Sequence, residues 1–113
     1  VRARGDFQKV YAEGQRFDGR LMAAFLRAND ENEHRLGVTA STKAIGKSVD
    51  RNRAKRLMRE VFRRSQSEVN GLQRKYDWVL NAKRSLLTST EELRFSEFRR
   101  IIEQAGRAER RGT

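Results

Sequence analysis

The segment from Val49 to Arg64, VDRNRAKRLMREVFRR, limits the folds open to this chain more than any other stretch. At about 100° per residue, Ala54, Leu57, Met58, Val61 and Phe62 fall on one side of a helix. Asn52, Arg56, Arg59 and Arg63 fall in a stripe on the opposite side. Such a helix needs a sheet or other helices to cover its apolar face. The segment holds seven Arg or Lys against two acids, Asp50 and Glu60, and the stripe itself holds no acid. A solvated helix mixes acids into such a face, because like charges at i,i+4 cost a few tenths of a kcal/mol per pair. The stripe is therefore expected to lie against something negative. Arginine outnumbers lysine in it, and the planar guanidinium suits bidentate contacts with phosphate. Asn52 adds a group able to meet a base edge or a 2′-hydroxyl, or to orient a neighbouring arginine. A plain solvated cationic face is the ordinary reading of a shorter run; the density here favours nucleic acid.

The rest of the chain narrows the function classes. Its 113 residues suit one domain spanning residues 1–113, and a net charge of +11 calls for a polyanionic partner. No apolar run approaches the ~20 residues of a membrane span, so nucleic acid is preferred to a membrane surface. Cysteine is absent and His34 is the only histidine. That excludes disulfides, thiolate metal sites, a Cys nucleophile and histidine clusters, and it fits a cytoplasmic protein. His34 itself reads as an exposed or strand-end residue without a special role. No Ser-His-Asp set and no phosphate-binding glycine loop is found. The carboxylates are spread over caps and turns. No catalytic residue and no metal ligand is therefore assigned to the protein.

Periodicity places the elements. Asp6 caps a short helix carrying Phe7, Val10 and Tyr11, which Gly14 ends as a left-handed residue. Strands follow at Arg20–Arg27 and Arg35–Ser41, separated by the polar turn Asn29–Glu33. A loop holds Thr42, Lys43 and Gly46; Ser48 caps the basic helix, which runs to about Val69. A third strand spans Asp77–Lys83. Ser89 and Glu92 form a capping box for a last helix with Phe95, Phe98, Ile101, Ile102 and Ala105 on one face and Gly106 near its end. Arg107–Thr113 is read as a frayed basic tail. The order αββαβα makes a two-layer α+β sandwich, a small sheet with helices packed against it.

Phe7, Tyr11 and Phe25 are ordinary core candidates at helical and strand spacing. On a sheet face left open they would instead be platforms for unpaired bases, worth ~1–3 kcal/mol each. Trp78 alternates with Leu80 and reads as core. Lys43, Lys47, Lys83 and Arg84 lie at strand ends or loops, where together they extend the positive surface toward the sheet.

Arg51-Asn52-Arg53, followed by Lys55-Arg56 and Arg59, resembles the signature of the bacterial ribonuclease P protein subunit family. Asp6-Phe-Gln-Lys-Val-Tyr11 with Gly14 resembles the family's opening helix. Arg35–Ser41 resembles the strand before the signature, and Asp77–Arg84 the strand after it. The resemblance spans roughly residues 6 to 105 in the right order. One departure is that Thr42-Lys43-Ala44-Ile45-Gly46 carries one residue more than the family pattern, which shifts the register of Lys43.

The resemblance implies a sandwich like the second domain of a ribosomal protein, with a left-handed βαβ crossover through the basic helix. Parallel crossovers are otherwise right-handed, so that hand comes from the family alone. It implies a protein subunit, monomeric in a 1:1 ribonucleoprotein, that assists a catalytic RNA in removing the 5′ leader from precursor tRNA. Mg²⁺ in that holoenzyme is bound mainly by the RNA. Arg51, Asn52, Arg53, Lys55, Arg56, Arg59 and Arg63 would contact the catalytic RNA. Phe7, Tyr11, Phe25, Ser41, Lys43, Lys83 and Arg84 would bind the leader. The alternative is a structural RNA-binding protein, ribosomal-protein-like or an RNA chaperone. A DNA-binding architectural protein is a distant third, since no recognition-helix pair or dimer seam is evident.

Overall fold

The computed structural model describes residues 4–112. Helix α1 (Arg4–Glu13) leads into the hairpin β1 (Gln15–Asp18) and β2 (Met22–Ala28), then β3 (Arg35–Thr39). A short α2 (Thr42–Ile45), the basic α3 (Ser48–Arg64) and a single-turn α4 (Gln66–Val69) follow. The chain ends with β4 (Tyr76–Ala82), a 3₁₀ turn (Arg84–Thr88) and α5 (Glu91–Arg111). The sheet order is β1-β2-β4-β3; β3 and β4 are parallel and the other pairs antiparallel. The architecture is thus α+β with a four-stranded mixed sheet. The expected order αββαβα lacked one strand: β1 has a single inward apolar residue, Phe17, and is a strand because the edge of β2 pairs with it.

Alternation along each strand separates two faces. Met22, Ala24 and Leu26 of β2 and Trp78, Leu80 and Ala82 of β4 turn toward α3 and α5, with Phe17, Leu36 and Val38 beside them. From the helices come Met58, Val61, Phe62, Phe98 and Ile101. Trp78, Phe62 and Phe98 form the centre, with ring centroids 5.5 to 6.0 Å apart. Such inclined ring pairs add ~0.5–1.5 kcal/mol each beyond the area they bury. Trp78 and Leu80 are core, as their alternation indicated. The opposite face is not bare. Helix α1 lies over β2 and β4 there, with Val10 fully buried. The two-layer description therefore fits the sheet with α3 and α5, and α1 is an added cover on the other side.

Several boundaries differ from the sequence expectation, each for a local reason. Asp6 lies inside α1, and Gly14 is not left-handed: the only positive φ among the described residues is at Gly46, 96°, where the chain turns from α2 to α3. Gly14 is needed for close approach, since a Cβ there would collide with the carbonyl oxygens of Val10 and Leu26. The Thr42–Ile45 segment, expected as a loop, forms α2 because the Ser41 hydroxyl accepts from Ala44 N at 3.0 Å. Lys47, not Ser48, is the N-cap of α3. That helix stops at Arg64, where Ser65 leaves helical geometry and its N–H turns back to the Phe62 carbonyl.

At α5 the cap is Thr90, whose side chain accepts from Leu93 N; Ser89 donates instead to the Leu86 carbonyl, so no Ser89–Glu92 capping box forms. The helix runs through Gly106 to Arg111, over most of the segment read as a frayed tail; Thr113 lies outside the described residues. Two carboxylates of α5 fasten the loops beneath it. Glu97 accepts from the backbone N–H groups of Arg20, Leu21 and Met22, and Glu109 from those of Gln73 and Arg74 and from the Tyr76 hydroxyl.

Candidate nucleic-acid interface

Helix α3 is held by Ala54, Met58, Val61 and Phe62, which are buried against the sheet and α5. Its opposite side carries the stripe read from the sequence, and the structure divides those residues into two groups. Asn52, Lys55, Arg56, Arg59 and Arg63 make no hydrogen bond or ion pair with any described residue, and all but Lys55 are exposed. Arg51 and Arg53 are partly engaged: Arg51 donates to the Thr42 hydroxyl at 2.7 Å and Arg53 to the Leu87 carbonyl at 2.8 Å. These two fix the start of α3 to α2 and to the 3₁₀ turn, and so hold the stripe in place. Arg64, one residue beyond it, is neutralised locally by Glu60 and Glu91 and covers the Phe95 ring at 4.6 Å. The hydrogen bonds to Glu91 and then Glu60 raise its already high pKa.

On the face under α1 the strand register sets out three rows. Arg16, Phe25, Val79 and Gly37 align in one; Asp18, Ala23, Asn81 and Thr39 in the next; Arg27, Asp77 and Arg35 in the third. Tyr11 of α1 meets Phe25 edge to face at 4.9 Å and is 40% exposed, so the pair is available to a stacking partner. Arg16 lies 5.5 Å above the Phe25 ring, a cation–π contact. The Tyr11 hydroxyl reaches Asn81 Oδ1 at 2.9 Å, and the Thr39 hydroxyl reaches the same atom at 2.6 Å. The third row is locked: Arg35 grips buried Asp77 through Nε and Nη2, at 2.7 and 2.6 Å. Burial works to raise the Asp77 pKa, and the bonds from Arg35 and Asn29 more than offset it, leaving the carboxyl below its ordinary range.

Of the residues assigned to this side from sequence, Tyr11 and Phe25 come together, with Phe7 half-buried one turn earlier on α1 and in ring contact with neither. Lys83 reaches the same face, donating to Asp18 Oδ1 at 2.8 Å and to the Gly19 carbonyl. The bond from Lys83, then that from Arg16, holds the Asp18 carboxyl below its ordinary range. Lys43 is exposed on α2 and has no partner among the described residues. Ser41 spends its hydroxyl as the α2 cap, and Arg84 donates to the Ile45 carbonyl at 3.0 Å. Arg84 thereby joins the 3₁₀ turn to α2; no bond brings either residue to the aromatic pair. Sequence reasoning passed over Arg16, Thr39 and Asn81. Arg16 lies on the strand it did not detect, and the other two take their place only through cross-strand register. The described residues offer a cationic face on α3 and, separately, an aromatic and polar patch on the sheet face under α1.

The family model described as Ribonuclease P matches residues 1–106. The ribonuclease P protein component of Clostridium kluyveri is 38% identical over 85 residues, covering 75% of this chain and 74% of that one. That of Coxiella burnetii is 29% identical over 113 residues, covering 100% and 90%. Among solved structures, the Staphylococcus aureus RNase P protein superposes with a TM-score of 0.76 at 26% identity, covering 93% of each chain. The RNase P protein from Thermotoga maritima gives 0.71 at 28% identity, covering 95% of this chain and 94% of that one.

Proposed function

The chain belongs to the bacterial ribonuclease P protein family, the protein subunit of an RNA-binding, tRNA-processing endoribonuclease, and on that premise we propose how its two surfaces divide the work. The α3 stripe, Asn52, Lys55, Arg56, Arg59 and Arg63 with Arg51 and Arg53 as its anchors, docks the catalytic RNA. The cleft between α1 and the sheet takes the single-stranded 5′ leader of precursor tRNA. There Phe7, Tyr11 and Phe25 form the stacking side, with Lys83, Lys43, Ser41 and Arg84 toward its α2 end. The observation that carries this reading is the run of exposed cations on α3 with no acid paired to them. Phosphates of a nucleic acid would neutralise such a face and relieve its self-repulsion.

Among the described residues no three His, Asp or Glu side chains converge as metal ligands. The proposal accordingly gives Mg²⁺ to the RNA and leaves the protein the tasks of binding and orienting. Holding the leader fixes the substrate relative to the RNA active site, so part of the entropic cost of alignment is met before cleavage. A cytoplasmic setting, one protein per catalytic RNA and no attachment to membranes belong to the same proposal. So does the left-handed crossover of the parallel β3–α3–β4 unit.

Reconstitution tests it. The protein alone should cleave nothing, and with a bacterial ribonuclease P RNA at low Mg²⁺ it should restore cleavage of precursor tRNA at the mature 5′ end. Tyr11→Ala should then reduce that gain several-fold for long leaders and little for a one-nucleotide leader. Unchanged cleavage despite measured binding to the RNA would reject the assignment, and a Tyr11→Ala effect independent of leader length would reject the cleft.

A further inference from the structure

The apolar face of α5 packs in the core, and its outer side carries a second row of cations. At about 100° per residue Arg100, Gln104, Arg107 and Arg111 fall in one line, about 16 Å long at 1.5 Å per residue. Five acids lie on the same helix, and three of them are spent within the fold. Glu91 pairs with Arg64, while Glu97 and Glu109 accept from backbone N–H groups of the loops beneath. Glu92 and Glu103 remain, along one border of the row. Arg107 and Arg111 are exposed and make no hydrogen bond or ion pair with any described residue, and Arg100 approaches Glu97 only to 3.5 Å. Toward the start of α5, Arg100 shares a recess with Ser85, Thr88, Ser96 and Arg20, whose guanidinium has no partner among the described residues. Ser85 and Thr88 donate to the Arg20 and Ser85 carbonyls, so their oxygens are left to accept. Toward the end of α5, Arg107 and Arg111 meet β1, where Asp18 is already taken by Lys83 and Arg16.

We propose that this side of α5 is a second docking surface for RNA, and that its partner is the backbone of a base-paired segment of the catalytic RNA, apart from the segment held by α3. The inference rests on the docking of that RNA to α3. A duplex is favoured over a single strand because the row has no ring to stack on. The exposed large apolar side chains among the described residues are Tyr11, Val49 and Leu93, and of these only Leu93 lies here. Arginines for phosphates, with hydroxyl oxygens that can accept from a 2′-hydroxyl, match the wide, shallow groove of an RNA helix, which is recognised by shape and backbone. Helix α3 packs toward β3 and α5 toward β1, the opposite edges of the sheet, so the two rows meet different parts of a folded RNA. Three arginines bind weakly by themselves. Once α3 is docked the second contact is intramolecular, and effective concentration carries it.

The chain has no cysteine, so one introduced thiol can carry an iron–EDTA group that cleaves RNA near it. Two exposed positions beside the rows serve in the reconstituted ribonucleoprotein with bound precursor tRNA: Val49→Cys near the start of α3 and Glu103→Cys on the border of the α5 row. The Val49→Cys tether should cut one segment of the catalytic RNA, and the Glu103→Cys tether both strands of a different, base-paired one. Arg100→Gln, Arg107→Gln and Arg111→Gln together should lower the salt slope of catalytic-RNA binding by about two to three units, near one per phosphate contact. Circular dichroism checks that this variant is folded. Cuts from Glu103→Cys that are absent, confined to the leader or confined to unpaired nucleotides overturn the α5 surface and leave the α3 docking standing, as does an unchanged slope in the folded variant. Absence of cuts in the catalytic RNA from both positions overturns the docking on α3, and this inference with it.

Discussion

His34 immediately precedes β3 and bonds to β4. Its Nδ1 accepts from the Tyr76 backbone N–H and from Trp78 Nε1, both at 3.1 Å, and its ring stacks on Tyr76 at 6.0 Å. Far from being an idle strand-end residue, it ties the central core tryptophan to the edge where β3 meets β4. Both bonds need an unprotonated Nδ1. Burial, and then the nearby Lys75 charge, lower its pKa below the ordinary histidine value. Near and below pH 6.5 the unfolded chain therefore binds more protons than the folded one, so stability rises with pH across that range. The stabilisation is fully present above about pH 6.5 and is lost as pH falls through the lowered folded value. Urea midpoints of the free protein should be level from pH 8 to 7 and decline between pH 6.5 and 5.5. His34→Asn, whose carbonyl can replace Nδ1 as acceptor, should remove that decline. A flat profile in the native protein would refute the role.

At the scale of elements, α3 illustrates a division between anchoring and offered charge. Arg51 and Arg53 are held by Thr42 and Leu87, whereas Arg56 and Arg59 have no partner among the described residues. Substituting an unpartnered cation should leave the fold intact and act on binding alone. Arg56→Ala should lower the slope of log K against log salt for the catalytic RNA by roughly one unit, the share of one phosphate contact. Filter binding from 50 to 300 mM salt measures it, and an unchanged slope removes Arg56 from the interface. Helix α5 works differently: two of its carboxylates are turned inward, Glu97 capping the start of β2 and Glu109 the loop before β4. Gly19 sits so near Glu97 that a Cβ would crowd its carboxylate, which suits a turn closed by a side chain from the far end of the chain.

For the molecule as a whole, a net charge of +11 sits within a radius of gyration of 13.4 Å. At 0.01 M salt the screening length is about 30 Å, longer than that radius, so cations across the whole surface repel; at 0.15 M it is about 8 Å. The melting temperature of the free protein should therefore rise between those two conditions. A fall would mean that favourable ion pairs, Arg35–Asp77 foremost, outweigh the repulsion.

The basic helix, the core-facing alternation of β2 and β4, the apolar face of α5 and the family signature were legible in the sequence, because each is a periodic pattern over many residues. Strand β1 was not: Gln-Arg-Phe-Asp has too short a pattern, and its pairing partner supplies the order. The choice of Thr90 over Ser89 as the α5 cap was equally hidden, since adjacent hydroxyls are equivalent until the helix axis is placed. That α3 buries one side and leaves an acid-free cationic stripe on the other follows from sequence alone, because charge and 3.6-residue periodicity are local properties. Only the tertiary structure decided which cations remain free, and that Tyr11, Thr39 and Asn81 form one hydrogen-bonded group. Those three are far apart along the chain, and it is the register of β3 on β4, with α1 laid across them, that makes them neighbours.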